Sequence, residues 1–495
     1  MPVLKVWQNK ICREIPFSGT PALSTLLQQY DLFAAHPCGG RGSCGKCAVR
    51  AEGELSAPTS AEKKAGTRLS CQITLMGDAE IWLHEDSGVV EVSGSSPALG
   101  SPMEGRYGAA VDIGTTTVAL KLYDLANGAV LAQAGTMNPQ RSIAADVMGR
   151  ISAAMGGLLP MLQSMVTDAI RSLLAKACGF VQLSMEEVDA LVVTGNTTML
   201  YLLTGRDPAC LSAAPFQADC LFDSRDTLLG IPVYYPACMN TFVGADITCA
   251  VLDSGMHLKK RTSLLCDIGT NGELALWRGG RLYVTSTAAG PAFEGAGISC
   301  GCGSIPGAID RVWMENGKIR MHTIGNKAAV GLCGSGLVDA LAVFLEAGNI
   351  DQTGVMYGDF LPLTEAVKLL PRDIRAVQLA KGAIAAGIRT LLELADVSEE
   401  AIDAFYIAGG FGSHLDTASA AAIGLIPRQL EHRVHILGNS ALSGAARLLL
   451  DQELVPATRD LTAKAVHVAL SGNSRFNQHF MNAMLFGGED MFDES

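Results

Sequence analysis

Charge is scarce in this chain of 495 residues: Asp, Glu, Lys and Arg together make up 17%, below the ~25% of an average soluble domain. Aromatic residues are scarcer still, at 6%, while hydrophobic residues reach 48%. Such a composition excludes a disordered, charge-dominated chain and predicts buried sheets built from Ala, Val, Ile and Leu. Cations are outnumbered, 37 Lys and Arg against 49 Asp and Glu. The formal net charge of −12 excludes duplex nucleic acid as a partner, because neutralising phosphates needs an excess of Lys and Arg. No uninterrupted apolar run is long enough to span a bilayer; the most apolar stretch, Gly331 to Ile350, is broken by Asp339 and Glu346. The N-terminal MPVLKVWQNK lacks the apolar core of a signal peptide, so a cytoplasmic protein with no membrane partner is expected. Also absent is the phosphate-binding pattern G-x-x-x-x-G-K-[ST], which excludes a nucleotide site of the P-loop kind.

Cysteine is not scarce. The 14 cysteines fall into a group of four between Cys38 and Cys71, nine scattered from Cys178 to Cys333, and Cys12 alone. Secreted disulfide scaffolds are short and cysteine-dense, and this chain is neither. Scattered cysteines in apolar runs, such as Cys249 and Cys266, read as small buried hydrophobes. Cys300, Cys302 and Cys333 lack an evident fourth ligand and read the same way. The group of four differs. HPCGGRGSCGKC sets Cys38, Cys44 and Cys47 at C-x5-C-x2-C, and RLSCQ brings Cys71 in 24 positions later. Three thiolates on one tight loop and a fourth from a separate strand suit a two-iron cluster. Gly39, Gly40, Gly42 and Gly45 let backbone N–H groups approach the sulfurs. A structural zinc site is the alternative, but it usually comes as two C-x2-C pairs, and only one is present.

Around this group, residues 1–91 read as a small domain. Val3 to Trp7 alternates in the strand manner, Pro21 to Tyr30 reads as a helix capped by Thr20, and strands are expected near Ala48 and Ile81. Residues 92–107, VSGSSPALGSPMEGRY, have the composition of a flexible linker, with an r.m.s. span of roughly 22 Å.

An internal repeat follows. AAVDIGTTTVALKLYD begins at Ala109 and LLCDIGTNGELALWRG at Leu264, placing Asp112 and Asp267 155 positions apart. Each copy has a strand, Asp-Ile-Gly-Thr, a second strand, then a third (Ala129 to Ala134; Leu282 to Thr287) and helical stretches. Further buried strands are expected at Ala190 to Thr194, Phe405 to Ala408 and Val434 to Leu437. The pattern predicts two α/β halves, 108–258 and 259–495, with a ligand between them.

Asp-Ile-Gly-Thr at a hairpin turn has a chemical use. Glycine permits the tight turn, the turn N–H groups and Thr hydroxyls bind phosphate oxygens, and Asp orients hydrated Mg²⁺. One copy is compatible with an ordinary turn; two copies in duplicated halves point to a phosphate cradle. In IAGGFGSHLD, Gly409, Gly410 and Gly412 follow a strand and leave room for a nucleoside, although an ordinary turn explains that segment alone as well. Asp246, in FVGADI, is either a base for a kinase-type reaction or a helix cap.

The cysteine group resembles that of plant-type [2Fe–2S] ferredoxins, with one extra residue between the first two ligands, and residues 1 to about 90 resemble their β-grasp domain. The glycine turns resemble the superfamily of actin, sugar kinases and heat-shock chaperones, where ATP sits between two ribonuclease-H-like halves. That resemblance implies a first phosphate loop of Asp112, Gly114, Thr115 and Thr116 and a second of Asp267, Gly269, Thr270 and Asn271. Gly409, Gly410 and Ser413 would touch the nucleoside. Nearly the whole chain resembles the reductive activators of corrinoid proteins. The motifs are the cysteine group, VDIGTTT, TGNTTM, FVGAD, CDIGTNGE, GPAFEGAGISCG, GLCGSGLVD, AGGFGSHLD and LGNSALSGA.

This resemblance implies ATP-dependent reduction of Co(II) to Co(I) in a corrinoid protein of a methyltransferase system, with electrons from a low-potential donor. The implied cofactors are a [2Fe–2S] cluster on Cys38, Cys44, Cys47 and Cys71, ATP, and Mg²⁺. The chain is shorter than the long members, and no cysteine follows Ala445, which excludes the [4Fe–4S] variant. Glycine-rich Gly297 to Ile309 is either an approach to the corrin or a cleft-lining turn. Two other classes stay open: an activator of a radical dehydratase, and a redox sensor that binds ATP without hydrolysing it. Oligomeric state also stays open, a homodimer included.

Overall fold

The chain opens with two antiparallel strands, β1 (Val3–Gln8) and β2 (Ile11–Pro16). Helix α1 (Leu23–Gln29), β3 (Ala48–Leu55), helix α2 (Ser60–Ala65), β4 (Arg68–Leu69) and β5 (Leu75–Trp82) follow. The strands form one five-stranded sheet in the order β2-β1-β5-β3-β4, the β-grasp arrangement that was expected. The computed structural model describes residues 2–8, 11–30, 47–83, 97–411 and 414–487. Alternation along β5 buries Leu75, Ala79 and Ile81 against Leu23, Leu26 and Leu27 of α1 and leaves Met76 exposed. The first helix is shorter than Pro21 to Tyr30. Its start is delayed because Ala22 bridges Thr74 and the Pro21 carbonyl accepts from Leu75 N at 3.0 Å. Glu62 ties α2 to β4: with Thr59 it forms a capping box, and its Oε1 accepts from Arg68 Nε at 2.8 Å and Leu69 N at 3.0 Å. That fixes the strand from which Cys71 leads off.

The expected linker is not free chain at its C-terminal end. Gly100 N donates to Leu450 O at 3.0 Å, Met103 N to Leu449 O at 2.9 Å, and Ser101 O accepts from Gln452 N at 2.7 Å. These bonds strap residues 100–103 to the body of the molecule, and Met103 is buried there. Composition signalled a turn-rich segment but could not signal its anchorage to chain some 350 positions away.

The repeat folds as two sheets of one plan. The first half contains β6 (Tyr107–Ile113), β7 (Thr117–Asp124), β8 (Val130–Met137), α3 (Val147–Ala153) and α4 (Leu159–Phe180). It continues through β9 (Val188–Gly195), α5 (Thr197–Thr204), β10 (Ser224–Leu228), β11 (Ile231–Tyr235) and α6 (Ala245–Ser254). The second half begins with β12 (Ser263–Ile268), β13 (Gly272–Arg278) and β14 (Arg281–Thr287). Next come a ribbon of β15 (Ala308–Glu315), β16 (Lys318–Thr323) and β17 (Gly331–Leu332), then α7 (Gly334–Glu346) and the small pair β18 (Leu361–Pro362) and β19 (Lys368–Leu369). Then follow α8 (Pro371–Leu394), β20 (Ala404–Ala408), α9 (Thr417–Ala422), β21 (Val434–Gly438), α10 (Ser440–Leu450), α11 (Val455–Lys464) and β22 (Ala465–His467).

The sheet orders are β10-β11-β9-β6-β7-β8 and β21-β20-β12-β13-β14-β22. In both, a three-strand antiparallel meander is extended on the far side of its first strand by two parallel strands, β9 and β11 or β20 and β21; β10 then pairs antiparallel with β11, and β22 lies parallel to β14. The strands expected around residues 190, 405 and 434 are β9, β20 and β21.

Central strands here are covered on both faces, which explains their nearly continuous apolar runs. On β6, Ala109, Val111 and Ile113 pack with Leu162, Val166 and Ile170 of α4. Its other face puts Ala110 among Leu442, Ala445 and Leu449 of α10. Helix α10 thus lies on the first sheet although its sequence belongs to the second half. Helix α6 crosses it, and an added Cβ on Gly444 would stand 2.0 Å from Cys249 O, so no side chain fits at the crossing. Arg447 Nε pairs with Asp253 Oδ1 at 2.9 Å beside it. Cys249 and Cys266 are fully buried, as expected of small hydrophobes. No helix among the described residues is long and apolar enough to cross a membrane.

Candidate functional site

Each Asp-Ile-Gly-Thr lies where a central strand turns into its hairpin partner. Asp112 pairs with Ala119 across β6 and β7, and Asp267 with Glu273 across β12 and β13. The first turn is one residue longer, because Ile113 pairs with Val118 whereas Ile268 pairs with Gly272. Gly114 N closes its turn on Thr117 O at 2.8 Å and Gly269 N on Asn271 O at 3.0 Å. The two turns meet. Thr116 Oγ1 lies 3.1 Å from Thr270 Oγ1, and Glu294 Oε2 accepts from both hydroxyls, at 2.5 and 2.7 Å.

Carboxylates gather behind the turns. Asp112, Asp246 and Asp267 are half-buried, and burial lifts their carboxyls to about 6, about 7 and about 8. The charge of Asp112 adds to the rise at Asp246, and both add to it at Asp267. Glu273 is buried and pushed well up by the same causes. Asp246 is not the cap of α6: that position is Gly244, and Asp246 stands in the first turn with its Oδ1 on Ile247 N at 2.8 Å. An all-oxygen, mutually repelling donor set suits a hard cation such as Mg²⁺. Among the described residues no three His, Cys, Asp or Glu side chains converge closely enough to ligate one ion.

These shifts set a pH dependence. The folded protein keeps protons on carboxyls that the unfolded chain releases near 3.8, so their contribution to stability is full below that pH and is lost as pH rises through 6 to 8. In melts without nucleotide, millimolar Mg²⁺ is expected to raise the melting temperature more at about pH 8.5 than at about pH 5.5, since only ionised carboxylates bind it. An equal effect at both pH values contradicts the assignment.

Several supporting residues were not assigned from the sequence. Asn439 caps α10 through Leu442 N at 2.8 Å and donates its Nδ2 to Asp112 Oδ2 at 2.9 Å. Asn196 caps α5 and donates to Thr115 Oγ1 at 3.1 Å. Both follow a strand-ending glycine, in TGNTTM and LGNSALSGA, and that repeated Gly-Asn cap was the available signal. Arg150 is fully buried behind the first turn, donating to Thr115 O at 2.5 Å, Ala144 O at 3.0 Å and Gln140 Oε1 at 3.2 Å. Burial lowers its guanidinium to about 9, and nothing in its spacing marked it.

The third expected segment adjoins the second turn. Gly409, at the end of β20, has φ +94°, and an added Cβ would lie 2.7 Å from Asp267 Oδ1, so only glycine fits. Gly410 faces open space. Ser413 lies outside the described residues.

Two of the four expected cluster ligands come together. Cys47 Sγ donates to Cys71 Sγ at 3.2 Å and the two form no disulfide; Cys38 and Cys44 lie outside the described residues. Burial pushes the Cys47 thiol up to about 12. A buried Cys47 thiol that resists ionising, with a second thiol beside it, fits a site where a bound cation stabilises thiolates. Cys333 is buried, and Cys300 donates to Lys368 O at 3.1 Å.

Residues 107–259 match the RACo middle region, and residues 261–495 match the C-terminal domain of RACo, the ASKHA domain. A corrinoid activation enzyme, RamQ, from Eubacterium limosum is 33% identical over 78% of this chain and 71% of its own length. The [Co(II) methylated amine-specific corrinoid protein] reductase of Methanosarcina barkeri is 25% identical, covering 78% of each chain. The solved structure of a reductive activator for corrinoid, iron-sulfur protein superposes with a TM-score of 0.73 at 27% identity, covering 99% of both chains. Together with the duplicated turns and the paired thiols, these similarities show that the chain belongs to the RACo family of reductive activators of corrinoid proteins.

Proposed function

We propose that this chain reduces the Co(II) form of a corrinoid protein to Co(I) and couples the reduction to ATP hydrolysis. The observation that carries the reading is the meeting of two phosphate-type turns, one from each half, with Thr116 and Thr270 hydroxyls 3.1 Å apart. The relatives named for activating or reducing corrinoid proteins support the choice of substrate. Thr115, Thr116, Thr270 and Asn271 would bind phosphate oxygens, while Gly114 and Gly269, whose N–H groups close the turns, would shape the two loops. Asp112, Asp246 and Asp267 would position hydrated Mg²⁺, and Gly409, Gly410 and Ser413 would line the nucleoside. Cys38, Cys44, Cys47 and Cys71, in a first domain of residues 1–91, would hold a [2Fe–2S] cluster, which when bound passes one electron at a time at low potential.

Coupling to ATP has an energetic reason. For one electron ~59 mV corresponds to ~1.4 kcal/mol, so ~7 kcal/mol of ATP-linked binding energy offsets ~300 mV. The halves, 108–258 and 259–495, act as a conformational device on the partner's cobalt ligation, and the phosphate goes to water. Electron transfer needs the thiols close to cobalt while ATP sits in a separate cleft, so the first domain moves during the cycle. A low-potential donor supplies the electron, and the reading places the protein in the cytoplasm. The test is the Co(I) absorption band, formed from reductant, this protein, Mg-ATP and a Co(II) corrinoid protein.

A further inference from the structure

We propose that Glu294 is a catalytic residue of this ATP hydrolysis, holding the attacking water and taking its proton; the role rests on the ATP reading above. The sequence gives Glu294 itself no role. Yet Glu294 Oε2 sits where the two turns meet, accepting from Thr116 Oγ1 at 2.5 Å and Thr270 Oγ1 at 2.7 Å. A hydroxyl has one proton to donate. A terminal phosphate that engages these hydroxyls must therefore take the place of this carboxylate oxygen.

The backbone that carries Glu294 has little room to shift. It ends a short turn, Pro291–Glu294, between Gly290 and Gly295, both at positive φ. An added Cβ on Gly295 would stand 2.4 Å from Cys302 O, so the backbone there is already in contact. The preceding Phe293 is buried and stacks on Phe411, with ring centroids 5.1 Å apart. Glu294 Oε1 faces Gly269, 3.7 Å from where a Cβ of that residue would lie. A phosphate drawn onto Thr116 and Thr270 thus displaces the carboxylate oxygen from the hydroxyls but ends within reach of a carboxylate whose backbone is held.

Two anions side by side repel, and a water between them relieves the repulsion. It donates one hydrogen to Glu294 and turns a lone pair toward phosphorus. The water oxygen–phosphorus bond forms as the bond from the terminal phosphorus to the ADP oxygen breaks, and that electron pair leaves with ADP. The water's proton passes to Glu294 and then to solvent. The three aspartates lie behind the turns, where burial and neighbouring charge raise their carboxyls, and they suit a hydrated cation. Glu294 is bonded to hydroxyls instead, which leaves it available as the base.

Glu294→Gln keeps an oxygen that accepts from both hydroxyls but takes no proton. In the iron-loaded, full-length protein, kcat for ATP hydrolysis is expected to fall about 100-fold or more, while the Kd for Mg-ATP changes less than about threefold. Wild-type kcat with tighter ATP binding overturns the role and makes Glu294 a competitor for the phosphate position. Failure of the wild-type protein to bind Mg-ATP overturns the ATP reading, and the role with it. Should Glu294→Gln not fold, Glu294→Ala supplemented with formate reads the same step. Turnover restored in proportion to formate supports the role, and no restoration overturns it.

Discussion

Replacing Asp112 or Asp267 by alanine is expected to reduce ATP turnover on the order of 10³-fold, each substitution alone being sufficient. The reason lies in how the site is divided. Each aspartate lies near the end of the central strand of its own sheet, and the proposed cation, shared between the halves, would need both. Asp112 also accepts from Asn439 Nδ2 at 2.9 Å, and Asn439 caps the helix that crosses onto the first sheet. Asp112→Ala therefore also removes this bond from Asn439, whereas Asp267→Ala removes one of the atoms against which Gly409 is packed. The thiols belong to a different sheet, so the visible spectrum of the cluster is expected to stay unchanged in both variants. Turnover at the wild-type rate in both refutes the assignment.

The opposite dissociation is expected for the thiols. Cys71→Ala is expected to abolish Co(I) formation while ATP hydrolysis continues, because the substitution leaves the turns of both halves untouched. Cys71 Sγ stands 3.2 Å from Cys47 Sγ, so its loss removes one side of the only described pair among the proposed ligands. Anaerobically prepared wild-type protein should contain about two irons per chain and give a one-electron signal on reduction; the variant should contain little of either. Stoichiometric zinc and no visible absorbance in the wild-type protein contradict the cluster.

Much of the fold was legible because the sequence repeats itself. Asp112 and Asp267 open matching meanders, and the apolar runs of β6, β9, β12 and β20 follow from coverage on both faces. The residues that touch phosphate in the proposed reaction were legible too, since Asp-Ile-Gly-Thr carries its chemistry locally. What was not legible is what reaches the site from afar. Asn439 meets Asp112 across 327 positions, and Glu294 meets Thr116 across 178. A carboxylate or an amide carries no periodicity that announces such contacts. Arg150 was hidden for a related reason: its stem lies in helix α3, where an arginine ordinarily reads as a solvated face, yet it is fully buried. The anchored residues 100–103 show the limit of composition, since Gly, Ser and Pro mark irregular backbone whether or not it is tied down.

The most direct test of the central claim follows the Co(I) absorption band of a corrinoid protein under a low-potential reductant, with this protein present and Mg-ATP either added or withheld. The account predicts Co(I) only with ATP, at a rate that falls with ATP hydrolysis in the Asp112 and Asp267 variants. Co(I) appearing at the same rate and to the same extent without ATP contradicts the coupling and leaves an ordinary electron-transfer protein.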